Sequence, residues 1–326
     1  MAETLPARPE LPLPIAISDC LLGNEVRYDG GSARSSFPHT LLDGLFEYRG
    51  ICPEVGIGMS TPRDPIRLVG SVESPRVVGV KDREFDATDA LSAFGAATAA
   101  DLEDVVGYVF MKNSPSCGLF RVKVYPPDSG GVPERRGRGA HAAAIVERLP
   151  NLPVEENGRL NDPVLRENFV TRAFSYGHWQ ACFKEPGQLT AGRLIVFHSR
   201  YKYLLMAHSI PHYQQAGRLL SDLRDGLPEK AARYITVLMS GLAIPATAGG
   251  HANVLSHLQG YFKKQLDSSS RQELDRLISS YGRGEQPLLA PLTLLKHHLS
   301  RYPDEYLAHQ VYLDPHPGYA GLRRLL

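Results

Sequence analysis

"VVGYVFMKNSPSCGLF", residues 105–120, sets a continuous apolar run against a loop of Asn, Ser, Pro and Gly. A short Val-rich run bounded by turn residues is the pattern of a buried strand. Here it empties into a turn that carries Cys117. Two other stretches repeat the arrangement. "IAISDCLLG" (15–23) and "GICPEV" (50–55) place Cys20 and Cys52 at or just beyond a similar run. "RVVGVK" (76–81) and "RVKVYP" (121–126) read as further strands, with helical patterns at 86–104 and 139–149. Strands alternating with helices predict an α/β domain with a mostly parallel, Rossmann-like sheet. The C-terminal strand ends of such a sheet share one edge, where ligand crevices form. Three cysteines 32 and 65 residues apart are therefore expected to meet.

The chain has 326 residues, room for two domains, with 43% hydrophobic and 22% charged residues, as in a soluble globular protein. It contains no run of eighteen apolar residues, so no membrane span is expected. The start, "MAETLPARPELPLP", has no apolar segment of the signal-peptide kind. Residues 1–12 are expected to form a flexible arm, and the compartment to be cytoplasmic, where structural disulfides are rare. The four cysteines include no CxxC pair, which excludes a zinc ribbon or a thioredoxin-type motif. Cys182, among the aromatics of "FSYGHWQACF", reads as a core residue, as does Trp179.

Beyond the α/β domain, assigned to 13–157, the pattern changes. Segment 126–138, "PPDSGGVPERRGR", reads as a surface loop, and a last strand starts near 152. Residues 158–189 form a helical connector with Pro163 at a first-turn position. Residues 190–326 read as an all-α domain, with helices over 190–209, 228–242, 250–266, 267–284 and 291–313. From residue 187 onward 16 Lys and Arg stand against 10 Asp and Glu, whereas the first 186 residues hold 20 against 25. A basic domain beside an acidic one suits an anionic partner. Arg200, Lys202, Lys263 and Lys264 are the candidates for neutralising RNA phosphates, with Tyr201 and Tyr203 interleaved for stacking.

The three strand-end cysteines admit several readings. They are unrelated small hydrophobes, a Cys₃ catalytic zinc site, or the ligands of a [4Fe-4S] cluster whose fourth iron stays open as a Lewis acid toward soft sulfur. Glu54 lies two residues past Cys52, on the same face if the backbone is extended. It is the candidate general base and acid, with Ser114, three before Cys117, to orient it or the water. Arg27, Tyr28, Arg63 and Ser116 are candidate substrate contacts. The plainer alternatives are a salt bridge from Glu54 to Arg63 or Arg27, and turn hydrogen bonds for the two serines.

"ISDCLLGNEVRYDGG", "CPEVGIGMSTPRDP" and "KNSPSCG" resemble, in order, the three signature stretches of the thiouracil desulfidase family. The resemblance covers about 13–155. It implies that Cys20, Cys52 and Cys117 hold a [4Fe-4S] cluster with one open iron, that Glu54 is the acidic residue of the CPE motif and that Ser114 is the first serine of SPSC. "FHSRYKYLLMAHS", "NVLSHLQGYFKK" and "PLTLLKHHL" resemble the helical domain often fused behind it. Chains with both halves resemble desulfidases of 4-thiouridine in tRNA. The expected partner is thus tRNA, or a thiolated nucleobase or nucleoside. The alternatives are a desulfidase of free thiouracil or thiouridine, and a non-catalytic iron–sulfur RNA-binding or sensor protein.

Overall fold

The computed structural model describes every residue except 1–4, 38–41, 43, 128–130 and 319–320, and the side chain of 325. The chain divides into two compact units, Glu10–Asn161 and Asp162–Leu326, the latter joined by the N-terminal segment through Pro9.

The first unit holds eight strands in two sheets. One sheet has the order β2-β1-β5-β8, from β1 (Leu13–Ser18), β2 (Phe46–Ile51), β5 (Tyr108–Phe110) and β8 (Val154–Glu156). All its pairings are parallel, as expected. β1 and β5 are almost wholly buried, which explains their unbroken apolar runs. The second sheet, order β4-β3-β6-β7, is mixed: β3 (Ile66–Gly70) runs antiparallel to β4 (Pro75–Gly79) and parallel to β6 (Val122–Tyr125), which pairs antiparallel with β7 (Glu134–Gly137). A single sheet was the sequence expectation. The run at 76–81 instead closes a hairpin with β3, and the predicted loop at 126–138 contains β7. The helices are α1 (Pro53–Gly56), α2 (Thr88–Ala100) and α3 (Ala140–Arg148). Leu91 of α2 packs with Leu68, Val77, Val122 and Val124 of the second sheet.

The second unit is helical: α4 (Pro163–Phe183), α5 (Ala191–His208), α6 (Ile210–Leu219), α7 (Leu227–Leu242), α8 (Ala248–Gln259), α9 (Ser268–Gly282), α10 (Leu289–Arg301) and α11 (Glu305–Ala308). Asp162 caps α4 through the amides of Val164 and Leu165, with Pro163 at its start. Twelve of the 21 residues of α4 are buried, so it is a central helix of this unit rather than a connector. Apolar residues three and four apart, Leu194, Phe197, Tyr201 and Leu204 on α5 and Tyr234, Leu238 and Leu242 on α7, meet in one core. That core also takes Cys182 and, from the N-terminal segment, Leu5. Pro6 O accepts hydrogen bonds from His178 Nε2 (2.9 Å) and Arg200 Nη1 (2.8 Å), so these residues are packed where a loose arm was expected. The predicted helix at 291–313 breaks after Arg301, before Pro303, which lacks the amide to continue it. No helix among the described residues is long and apolar enough to cross a membrane.

Candidate active site

β1 lies between β2 and β5, so successive connections leave it in opposite directions. A crevice opens outside the strand ends at such a reversal. Cys20 sits in the 3₁₀ turn Asp19–Leu22 that follows β1, Cys52 directly follows β2 and caps α1, and Cys117 lies in the loop after β5. All three thiols line one cavity of about 470 Å³, together with Glu54, Ser114, Arg27, Tyr28, Arg63 and Lys112. This juxtaposition is the one the strand ends predicted.

Local chemistry shapes the Cys117 loop. Ser114 Oγ accepts from the amides of Ser116 (3.2 Å) and Cys117 (3.0 Å), tightening the turn. The first amides of α3 hold it from outside: Ala140 N donates to Pro115 O (3.1 Å) and Ala142 N to Ser116 O (3.2 Å). A Cβ on Gly139 would collide with the Ser116 carbonyl and the Cys117 amide, so only glycine allows this approach.

Glu54 is fixed from two sides. Arg63 Nε donates to its Oε2 (2.7 Å), with Nη2 at 2.6 Å, while Ser116 Oγ donates to Oε1 (2.7 Å). Arg63 is itself tied to Val26 O (2.9 Å), Ser60 O and Thr61 Oγ1 (both 3.1 Å). The side chains of Arg63 and Glu54 are only 5% and 13% exposed. The salt bridge anticipated as an alternative for Glu54 therefore exists, and it orients a carboxylate that still lines the cavity. The serine that grips the carboxylate is Ser116, fully buried, and not Ser114. Arg27 pairs with Asp29 at 3.5 Å, and Tyr28 is 45% exposed.

Burial pushes the Cys20 thiol up to about 11, against the opposing charge of Arg27. Burial also raises Cys52, and raises Cys117 well above the ordinary thiol value, although a hydrogen bond with Ser18 works the other way. Ser18 and Tyr108 are neighbours the sequence reading missed. Ser18 Oγ accepts from Met111 N (2.9 Å), and the buried Tyr108 hydroxyl meets His141 Nε2 (3.1 Å). Ser18 stands two residues before Cys20, the spacing that puts two side chains on one face of a strand.

The cysteines that line the cavity are three, with no fourth among its lining residues. Three soft thiol donors around one cavity are the donor chemistry of an iron–sulfur centre.

The basic residues singled out in the helical half fare unequally. Arg200 is turned to the carbonyls of Leu5 and Pro6, and Lys202 Nζ sits 5.0 Å from the ring centres of both Tyr203 and Tyr306. Tyr201 is buried, whereas Lys263 and Lys264 are exposed.

A family profile described as 2-thiouracil desulfurase matches residues 15–157, and one described as a protein of unknown function, DUF1722, matches 202–317. Protein YbgA of Escherichia coli (strain K12), described as uncharacterized, is 44% identical over 142 residues, 43% of this chain and 83% of YbgA. Protein YbbK of Bacillus subtilis (strain 168), likewise described, is 33% identical over 156 residues, 45% of this chain and 98% of YbbK. The chain belongs to the 2-thiouracil desulfurase family. A solved structure of a [4Fe-4S]-dependent thiouracil desulfidase, TudS (DUF523Vcz), is 28% identical and covers 48% of this chain and 97% of that one, with a TM-score of 0.38. The desulfurase match spans β1 to β8, so all three cysteines, Glu54 and both loop serines fall inside it.

Proposed function

We propose that this chain removes sulfur from a thiolated uracil, with 4-thiouridine in tRNA as its substrate and a [4Fe-4S] cluster held by Cys20, Cys52 and Cys117. The observation that carries this reading is the convergence of three thiols and one clamped carboxylate on a single cavity. The overall reaction is a hydrolysis: a C=S bond is exchanged for C=O, water supplies the oxygen and both protons, and sulfide leaves as H₂S. No electrons are gained or lost. When bound, the cluster supplies a Lewis-acidic iron for the soft thiocarbonyl sulfur.

The remaining work falls to side chains. Glu54 takes a proton from water and returns it to the leaving sulfur, as general base and then acid. A carboxylate offers about four lone-pair positions, so the donors from Arg63 and Ser116 leave room for the water. Those donors restrict Glu54 to one orientation, which lowers the cost of reaching the reactive geometry. Ser114 has its oxygen engaged by two amides and keeps its O–H to donate to the substrate. Arg27 and Tyr28 at the cavity contact the remainder of the nucleotide. A base within folded RNA must be turned out of its stack to enter.

The test is anaerobic reconstitution with iron and sulfide, followed by incubation with 4-thiouridine-containing tRNA while the thiocarbonyl absorbance is followed. Glu54→Gln should retain the cluster's colour and lose roughly 10²–10⁴-fold in kcat. A Glu54→Gln protein as fast as the parent removes the carboxylate from the mechanism.

A further inference from the structure

The same unit carries a second cavity, of about 710 Å³, which the cysteines do not line. Five arginines do: Arg121, Arg135, Arg136, Arg138 and Arg159, against the carboxylates of Glu73 and Glu147. All five are exposed. They lie in the half of the sequence with the acidic balance, 20 Lys and Arg against 25 Asp and Glu over residues 1–186, so the concentration is local.

The fold builds this groove from three segments. On the edge strand β7, pairing jumps from Val122 with Gly137 to Lys123 with Arg135, leaving Arg136 as an extra residue. A bulge of this kind re-aims the side chains around it. Arg121 adopts a left-handed backbone, φ 56°, a costly conformation for a residue with a Cβ. Arg138 Nε donates to Leu119 O (3.3 Å). Arg159 pairs with Glu155 (2.7 Å) and lies 5.1 Å from the ring centre of Phe120. The side chains of Arg121 and Arg135 have no hydrogen-bond or ion-pair partner among the described residues. Charged residues on an edge strand also prevent strand pairing with other chains. That accounts for Arg135 and Arg136, but not for Arg121, Arg138 and Arg159, which lie outside β7.

We propose that this groove binds the phosphates of the RNA strand whose thiolated base enters the cysteine cavity, a proposal that rests on the RNA substrate proposed above. Guanidinium groups match phosphate oxygens in a two-pronged geometry. Five of them along one groove suit a run of phosphates rather than a single anion. The two cavities are joined by the chain itself: Arg121 lies four positions after Cys117, a span of at most ~14 Å. A nucleotide seated at the cysteines therefore has its neighbouring phosphates within reach of the arginines. Phe120, 37% exposed on that connecting segment, offers a ring for an adjacent base. A free nucleobase carries no phosphate, so the groove contributes nothing to its binding.

The experiment compares the reconstituted full chain with its Arg121→Ala/Arg135→Ala variant, on 4-thiouridine-containing tRNA and on free 2-thiouracil. The expected result is a salt dependence of log K for RNA shallower by about 2, about 1 for each phosphate contact removed. KM for RNA should rise, kcat/KM for 2-thiouracil should stay unchanged, and the Arg121→Lys/Arg135→Lys variant should recover most of the salt slope. An unchanged slope in a variant that still desulfidates RNA overturns the groove and leaves the RNA reading standing. Equal losses on both substrates also overturn it, because the arginines would then act through the fold. A parent protein that consumes 2-thiouracil but not the RNA overturns the substrate reading, and the groove with it.

Discussion

Glu167 in the helical unit and Glu54 in the α/β unit are both shielded carboxylates beside an arginine, yet their surroundings differ in one respect. Glu167 Oε1 is met by Arg323 Nε at 3.1 Å, His316 Nε2 at 3.3 Å and Thr171 Oγ1 at 3.2 Å, all within a buried network. Burial alone would raise its pKa, but the His316 hydrogen bond and the Arg323 charge hold it well below the usual carboxylate range. Glu54 is gripped just as firmly by Arg63 and Ser116, but the cavity it borders is shared with three thiols, whereas the cavity of about 480 Å³ that Glu167 borders is lined by none. The first arrangement ties helices together. The second holds a carboxylate beside three thiols. The cysteines divide the same way: Cys182 is fully enclosed in the helical core, whereas Cys20, Cys52 and Cys117 face the cavity.

The largest effect that separates the two regions concerns these cysteines. Cys117→Ser should abolish the brown colour of the reconstituted protein and its desulfidase activity, because a cluster with two remaining thiolates is not retained. Cys182→Ser should keep both, since its thiol is a small core group. Absorbance near the thiolate-to-iron bands, measured anaerobically, checks each. A colourless Cys182→Ser protein with an intact fold would break the division.

That division was legible in the sequence because the site's cysteines follow apolar runs of the kind a buried parallel strand produces, "IAIS" and "VVGYVF" above all. Less legible was whatever depended on distant partners. "ERRG" carries no apolar alternation, and it becomes β7 only because β6 offers an edge to pair with. Helix α6 has no counterpart among the helices expected from the sequence; Pro211 stands in its first turn, where a missing amide costs nothing. Ser114 and Ser116 could not be told apart, since the contact to Glu54 spans 62 positions. Glu167 gave no signal at all, because His316 and Arg323 lie some 150 residues downstream.

Next in size is the loss of one partner of that buried pair. Arg323→Met leaves Glu167 uncompensated in a buried site and should destabilise the helical unit by about 3–5 kcal/mol. Adding Glu167→Leu should recover a good part of this, because the cost is the stranded charge rather than the missing bond. Chemical denaturation followed by Trp179 fluorescence reports on this unit, as the only tryptophan lies on α4. A double variant no more stable than the single one would mean that the pair contributes direct attraction.

The smallest effect is the response to acid, and it too should fall unevenly. Burial lowers His178 and His198 to about 4 and His251 to about 3, and it lowers His208 and His298 as well; all five are in the helical unit. Among its described residues the α/β unit has one such group, His141, lowered to about 4. A histidine with a depressed folded pKa is neutral in the fold and takes up a proton on unfolding near pH 6.5. Its contribution is complete above that value and is lost as pH falls toward the folded pKa. Between pH 7 and pH 5 each such group removes up to about 1–2 kcal/mol. Glu167, also depressed, begins to add to the loss below the ordinary carboxylate range. Five histidines against one means that the helical unit should melt first at pH 5, so Trp179 fluorescence should change at lower temperature than a backbone signal from the strands. Coincident transitions at pH 5 would show instead that the buried histidines of the helical unit are protonated at little cost. The cavity of about 480 Å³ that Glu167 and His251 line would then be the route by which water reaches that network.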